Sequence, residues 1–207
     1  MVIAVNSHHG LASCRLKVER LSSEKKEELV VLLRNWFDYA NEQMQRAGEL
    51  EDLQSHALFQ SSVCVLLGSG NDVQDFDEDG VSYWFRCITT TGDVVGLMQF
   101  SIQEQTVENK QLEIHWLMTN PAHLRSPLNA QVMDRVSGVG SALVQVANQF
   151  ATSNHVRMMK VRAYEAARGF YERCGFVNDP PNQLYRSTIF MVKSVADRVF
   201  DDLVADS

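Results

Sequence analysis

The hydrophobic residues of this chain change period several times, and that alternation limits the possible folds more than any other feature. Over 15–21 polar and apolar residues alternate, as on a half-buried strand. Leu29, Leu32, Leu33, Trp36, Ala40 and Met44 then recur at helical spacing, so their helix has one buried face. Ser22 or Ser23 can cap that helix, and Gly48 marks its end. Residues 51–67 fit either a second helix or a helix with a short strand, and the acidic stretch 72–80 reads as a loop. Period two returns at 81–90 and 94–103, joined by a Thr91-Gly92-Asp93 turn, and again at 112–119 after a turn near 108–110. A loop over 121–134 precedes a helix marked by Ala142, Leu143, Val146, Ala147 and Phe150. A strand at 156–163, a short helix at 165–174, a strand at 184–192 and a terminal helix at 197–205 complete the chain. Strand, helix, three-strand meander, helix, strand, helix, strand is the order of an α/β (α+β) layered domain, with helices on a mixed sheet.

With 207 residues the chain can bury a core without staples, and it shows no repeat, low-complexity tract or linker. It reads as one domain, 14–207, behind a loose N-terminal arm, 1–13. Acids outnumber bases 26 to 19, a net charge of -7. Such a surface repels phosphate backbones, so the expectation is no nucleic-acid partner and a preference for cations. Cys14, Cys64, Cys87 and Cys174 are scattered, without zinc spacing, which points to free thiols in a reducing, cytoplasmic setting. No apolar run approaches the roughly 18 residues of a membrane span, so no membrane role is expected. Leu11-Ala12-Ser13-Cys14 superficially fits a lipoprotein cleavage box. The apolar stretch 2–5 is too short for a signal core, however, and no Lys or Arg precedes it.

The segment richest in chemistry is Arg135-Val136-Ser137-Gly138-Val139-Gly140-Ser141-Ala142-Leu143. Glycines allow a sharp turn and close approach of a ligand to the backbone. Here they open a helix, where several amides and the positive end of the helix dipole can meet one anion, naturally a phosphate or pyrophosphate. Alone, the segment is equally a glycine-containing helix start with no ligand. A dinucleotide fingerprint would need a third glycine where Leu143 stands, and a P-loop would need Gly-Lys-Ser/Thr.

Two further segments accompany it. Upstream runs Leu112-Glu113-Ile114-His115-Trp116-Leu117-Met118-Thr119-Asn120-Pro121, and downstream Phe170-Tyr171-Glu172-Arg173-Cys174-Gly175-Phe176. A strand ending in a proline turn, Arg-x-x-Gly-x-Gly opening a helix, a strand, and a short helix ending Phe-Tyr-x-x-x-Gly-Phe follow one another. In that order they resemble the GCN5-related N-acetyltransferase (GNAT) superfamily over about 112–176. The resemblance implies a mixed, mostly antiparallel central sheet with helices on both faces. It implies acetyl-CoA as acyl donor, with no metal. Arg135 and the amides of Val136, Ser137, Gly138, Val139, Gly140 and Ser141 would cradle its pyrophosphate. Leu117, Met118 and Thr119 would pair with the pantetheine arm as an added strand does, with Tyr164 and Phe170 beside the cofactor. Tyr171 stands at the family's usual general-acid position. Glu113, eight residues before Pro121, stands where histone acetyltransferases of the superfamily place their base, with His115 on the same strand face as a reserve.

These roles suit direct transfer of acetyl to a primary amine. A lysine-type amine, with a reference pKa near 10.4, must lose a proton before attack, and a carboxylate can take it directly or through a water. Full proton transfer from a tyrosine to a thiolate is uphill by roughly 1.5 pKa units, about 2 kcal/mol, so a hydrogen bond to the sulfur serves as well. No covalent enzyme intermediate is needed. The expected acceptor is a small-molecule amine or a protein lysine or N-terminus, and a homodimer is left open. Two departures from the family matter. Fourteen residues separate Pro121 from Arg135 where about three are usual, and Tyr164 stands where many members have Asn. Both favour an alternative, a non-catalytic GNAT-fold module that binds acyl-CoA or a protein partner. Asp75-Phe76-Asp77-Glu78-Asp79-Gly80 imitates the start of a calcium loop, but Arg86 stands where the closing Glu belongs.

Overall fold

The computed structural model describes residues 5–6, 15–74, 82–104, 110–124, 126–129, 136–179 and 188–195. Cys14, the acidic stretch 75–80, Arg135 and the expected helix 197–205 lie outside the described residues. The chain divides into two compact units, Met1–Gln99 with Trp116–Leu143, and Phe100–His115 with Val144–Ser207.

The first unit holds strands β1 (Val5–Asn6), β2 (Arg15–Arg20), β3 (Ser82–Ile88), most of β4 (Val94–Glu104) and the end of β5 (Lys110–Thr119). Residues 5 and 6, expected in a loose arm, instead pair antiparallel with Leu16 and Arg15. β2 pairs antiparallel with β3, Val18 opposite Cys87. Helix α1 (Lys26–Glu49) buries Leu29, Leu33, Trp36, Ala40 and Ala47 along one stripe. It has no serine cap. The 3-10 turn Ser23–Lys25 leads into it, and Lys25 donates its amide to the Ser22 carbonyl. The ambiguous segment is one helix, α2 (Leu53–Gln74), which takes in 72–74 of the expected loop. Asp52 caps it by accepting the Ser55 amide at 3.0 Å, and Ser55 holds the Asp52 carboxyl below its ordinary pKa.

The stripe of α1, with Phe59 and Leu66 of α2, is buried with Trp84, Leu97 and Met118 of the strands in one apolar cluster. On the adjacent β4 residue, Gly96, an added Cβ would overlap the Val139 side chain and lie 3.3 Å from the Met118 carbonyl oxygen. Neighbouring strand residues point to opposite faces, so helices cover both faces of β4. Gly96 lets the first turn of α3 (Val139–Ser153) sit directly on the strand.

In the second unit, β5 and β6 (Met158–Tyr164) run parallel, Gln111 opposite Met158 through Ile114 opposite Val161. A parallel pair needs a crossover, and α3 supplies it. β8 (Thr188–Ser194) pairs antiparallel with β6 along its whole length and with β7 (Val177–Asn178) on its other side. Phe150 of α3 meets Phe100 of β4 edge-on at 5.0 Å. The fold is the α/β (α+β) class read from the sequence, a mixed, mostly antiparallel sheet with helices on both faces. No helix among the described residues is long and apolar enough to cross a membrane.

Candidate active site

The glycine segment does open a helix. Gly138 adopts φ 80°, in the left-handed region, and α3 starts at the next residue. The Ala142 amide closes the first turn on the Gly138 carbonyl at 2.9 Å. The amides ahead of it cannot reach a carbonyl four residues back within the helix. Those of Ser137, Gly138, Val139, Gly140 and Ser141 have no acceptor among the described residues. Val139, Ala142 and Leu143 are buried, which fixes the helix start, while Gly138 and Ser141 are exposed. Five amides without an acceptor among the described residues, at the positive end of a helix, are the kind of main-chain group that suits an anion. Val136 differs from the expectation, because its amide already donates to Nδ1 of His123 at 3.3 Å.

Leu117, Met118 and Thr119 end β5. Met118 is buried and its neighbours half-buried. The Asn120 amide donates to the Val95 carbonyl at 2.9 Å, which ties this end of β5 to β4. In the other unit, the β5–β6 ladder stops at Ile114, although β5 continues to Thr119 and β6 to Tyr164.

Glu113 and His115 share a strand face, as their partners show. Glu113 Oε2 accepts from Gln103 Nε2 at 2.7 Å, and His115 Nε2 lies 2.7 Å from Ser101 Oγ, two residues back along β4. Glu113 also walls an open cleft of about 170 Å³ with Gln103, Gln111, Lys160 and Asp179. Its carboxylate is therefore oriented and can be reached by a small molecule.

Tyr171 lies on the short helix α4 (Arg168–Arg173) and is only 6% exposed. Phe170 packs edge-on against its ring at 4.9 Å, and Phe176 at 5.5 Å. The Phe-Tyr-x-x-x-Gly-Phe pattern has a local cause. Gly175, at φ 86°, turns the chain out of α4, and the Phe176 amide then donates to the Tyr171 carbonyl at 3.0 Å. Burial, and after it the Cys174 thiol, hold the Tyr171 phenol well above its ordinary pKa, so it stays protonated. Its hydroxyl has no protein partner among the described residues. Tyr164 ends β6 opposite Thr188, and Phe170 is half-buried beside Tyr171. Cys174 acts through its backbone, accepting from Lys193 Nζ at 2.9 Å.

Sequence reading missed three residues that support the candidate residues within each unit. Gly96 carries no motif, since its purpose is room for Val139. Gln103 looks like any strand amide until its register against Glu113 is known. His123 sits in an extra segment that offers no pattern to match.

A search of curated proteins finds no match. Among solved structures, the PaiA N-acetyltransferase of Thermoplasma acidophilum, in complex with coenzyme A, superposes with TM-score 0.52 and 13% identity, over 86% of this chain and 98% of that one. Tetrahymena GCN5 gives 0.51 and 14%, over 88% and 98%. A GNAT-family acetyltransferase of Staphylococcus aureus gives 0.50 and 10%, over 87% and 99%. At such identities the likeness is one of fold. The profile of the acetyltransferase (GNAT) family matches residues 49–176, more than half of the chain and including the glycine turn, Glu113 and Tyr171, and the chain belongs to that family.

Proposed function

We propose that the protein transfers an acetyl group from acetyl-CoA directly to a primary amine. The observation that carries this reading is the run of free amides from Ser137 to Ser141 at the start of α3. They suit a diphosphate, the anionic part of coenzyme A, and need no side-chain charge to hold it. Leu117 to Thr119 offer backbone groups to an extended pantetheine arm, and acetyl-CoA supplies the activated acyl group.

Glu113, steadied by Gln103, takes the proton of the incoming amine. Glu113 accepts the proton as the N–C bond forms and acidifies the nitrogen, so complete removal before attack is not required. The raised pKa of Tyr171 makes full protonation of the sulfur less favourable than the reference values imply. Tyr171 therefore acts by hydrogen-bond donation to the departing thiolate. The net charge of -7 draws cationic amines toward the surface. A small-molecule amine, a protein lysine and an N-terminus all satisfy this chemistry.

The test is free-thiol release from acetyl-CoA against a panel of primary amines, alongside a thermal shift with coenzyme A. Stabilisation by coenzyme A together with amine-dependent thiol release is expected. Stabilisation with no release on any amine would leave a binding module, and no stabilisation would remove the coenzyme A site itself.

A further inference from the structure

The segment after Pro121 has no counterpart in the short family turn, and its described residues, up to Asn129, are held in place. Asn120 Oδ1 accepts the Ala122 amide at 3.0 Å and starts the 3-10 turn Pro121–His123. Asn129, 1% exposed, donates from Nδ2 to the carbonyls of Pro121 and Leu124, at 2.9 and 3.0 Å. Its Oδ1 accepts the Tyr39 hydroxyl of α1 at 2.7 Å. Ser126, also buried, shares a 2.8 Å hydrogen bond with Ser55 of α2. Buried polar groups satisfied this completely rigidify a loop.

That frame fixes His123, whose Nδ1 accepts the Val136 amide. A backbone N–H can only donate, so Nδ1 is the unprotonated nitrogen and the ring is neutral. Val136 and Ser137 belong to neither strand nor helix. Among the described residues, the Val136 bond ties them to the fold, one residue before the amides that lack an acceptor there.

We propose that His123 is a positioning residue for the diphosphate receptor: by pinning Val136 it sets the direction in which the amides of Ser137 to Ser141 point. The proposal rests on the coenzyme A reading above. Its physical content is preorganisation, because a receptor held in its bound shape spends less of its interaction energy on ordering. The described part of the inserted segment thus serves the donor site as a brace, tied to α1 at Tyr39, to α2 at Ser55 and to Val136 through His123.

The test uses the full chain and two probes, coenzyme A and pantetheine, which lacks the diphosphate. Binding of each is titrated at about pH 8 for the wild type and for His123→Leu, His123→Asn and His123→Gln. Asn places an oxygen acceptor near the Nδ1 position, whereas Gln reaches toward Nε2. His123→Leu should weaken coenzyme A about fivefold, the usual worth of one such hydrogen bond, and leave pantetheine unchanged. His123→Asn should stay within about twofold of wild type, and His123→Gln should behave like the Leu variant. Equal loss for both probes, wild-type affinity in the Leu variant, or rescue by Gln as good as by Asn would overturn the proposal. If the Leu variant fails to fold, the Asn and Gln pair decides alone. A wild type that binds coenzyme A no better than pantetheine would sink the diphosphate site itself, a failure distinct from that of His123.

Discussion

The donor receptor and the proposed catalytic pair are made of different material. Between Ser137 and Ser141 the groups proposed to meet the ligand are main-chain amides, and the side chains there are small, exposed or turned into the core. At Glu113 and Tyr171 the groups are side-chain atoms, and the backbone only carries them. The first kind of site is sensitive to dihedral angles and indifferent to most side-chain chemistry. The second is the reverse. Each kind fails to a different substitution, which gives the contrast its tests.

The largest effect should come at Tyr171, where one side chain packs the core and is also proposed to act in the chemistry. Tyr171→Ala removes a ring held between Phe170 and Phe176 and should lower unfolding free energy by about 3–5 kcal/mol in denaturant titration. Tyr171→Phe keeps the ring and should melt with the wild type. Its turnover should still fall at least about tenfold, about 1.4 kcal/mol, with acetyl-CoA affinity little changed. Wild-type turnover in the Phe variant would leave Tyr171 as a packing residue only. Glu113→Gln tests the purer side-chain role. It keeps shape on an open strand face and should lose about a hundredfold in amine-dependent turnover with unaltered coenzyme A binding. A loss smaller than about threefold would move the base elsewhere, first to His115 and its Ser101 partner.

The main-chain site should answer in the opposite sense. Gly138→Ala adds only a methyl group, yet a left-handed φ costs a non-glycine residue about 1–2 kcal/mol. Coenzyme A affinity should fall about five- to tenfold on titration. Ser141→Ala deletes a polar atom in the same receptor but leaves its amide, and binding should stay within about twofold. If the serine mattered more than the glycine, the receptor would be a side-chain site after all.

The same division explains how much could be read in advance. The glycine turn and the Phe-Tyr-x-x-x-Gly-Phe helix were legible because both demand a left-handed residue, at Gly138 and Gly175, and only glycine supplies one cheaply. The period changes located most strands and helices for a similar local reason. The second helix stayed ambiguous because its apolar residues lack a clean stripe. Asp52 and Ser55, its capping pair, were the signal that could have settled it. Register and long-range pairing were not legible. Gln103 meets Glu113 across a hairpin, Gly96 makes room for a residue 43 positions later, and Asn129 finds Tyr39 across 90 residues. Nothing local distinguishes these residues from their neighbours, since their selection lies in three-dimensional fit.

The smallest expected effect tests where the two kinds of group meet, at the Val136 amide, which a side chain holds. Burial lowers the pKa of His123, with the Asp93 carboxylate acting weakly the other way. The folded protein therefore resists a proton that the unfolded chain accepts near its reference value of about 6.5. Stability rises with pH wherever the unfolded state binds more protons. His123 thus contributes fully above that value, progressively less as pH falls through it, and nothing further below its folded pKa. A proton on Nδ1 also ends its acceptance from Val136, so coenzyme A affinity should weaken at the lower pH where the folded ring itself takes a proton, by less than about fivefold. The phosphates of coenzyme A titrate nearby, which makes the wild-type slope alone ambiguous. His123→Asn supplies the reference, because its amide does not titrate and the phosphate contribution cancels in the difference. Asp93→Asn should move the remaining fall to lower pH. A difference that stays flat from about pH 8 to about pH 5 would mean that Gly138 and the first turn of α3 hold the receptor unaided, making it a main-chain site throughout.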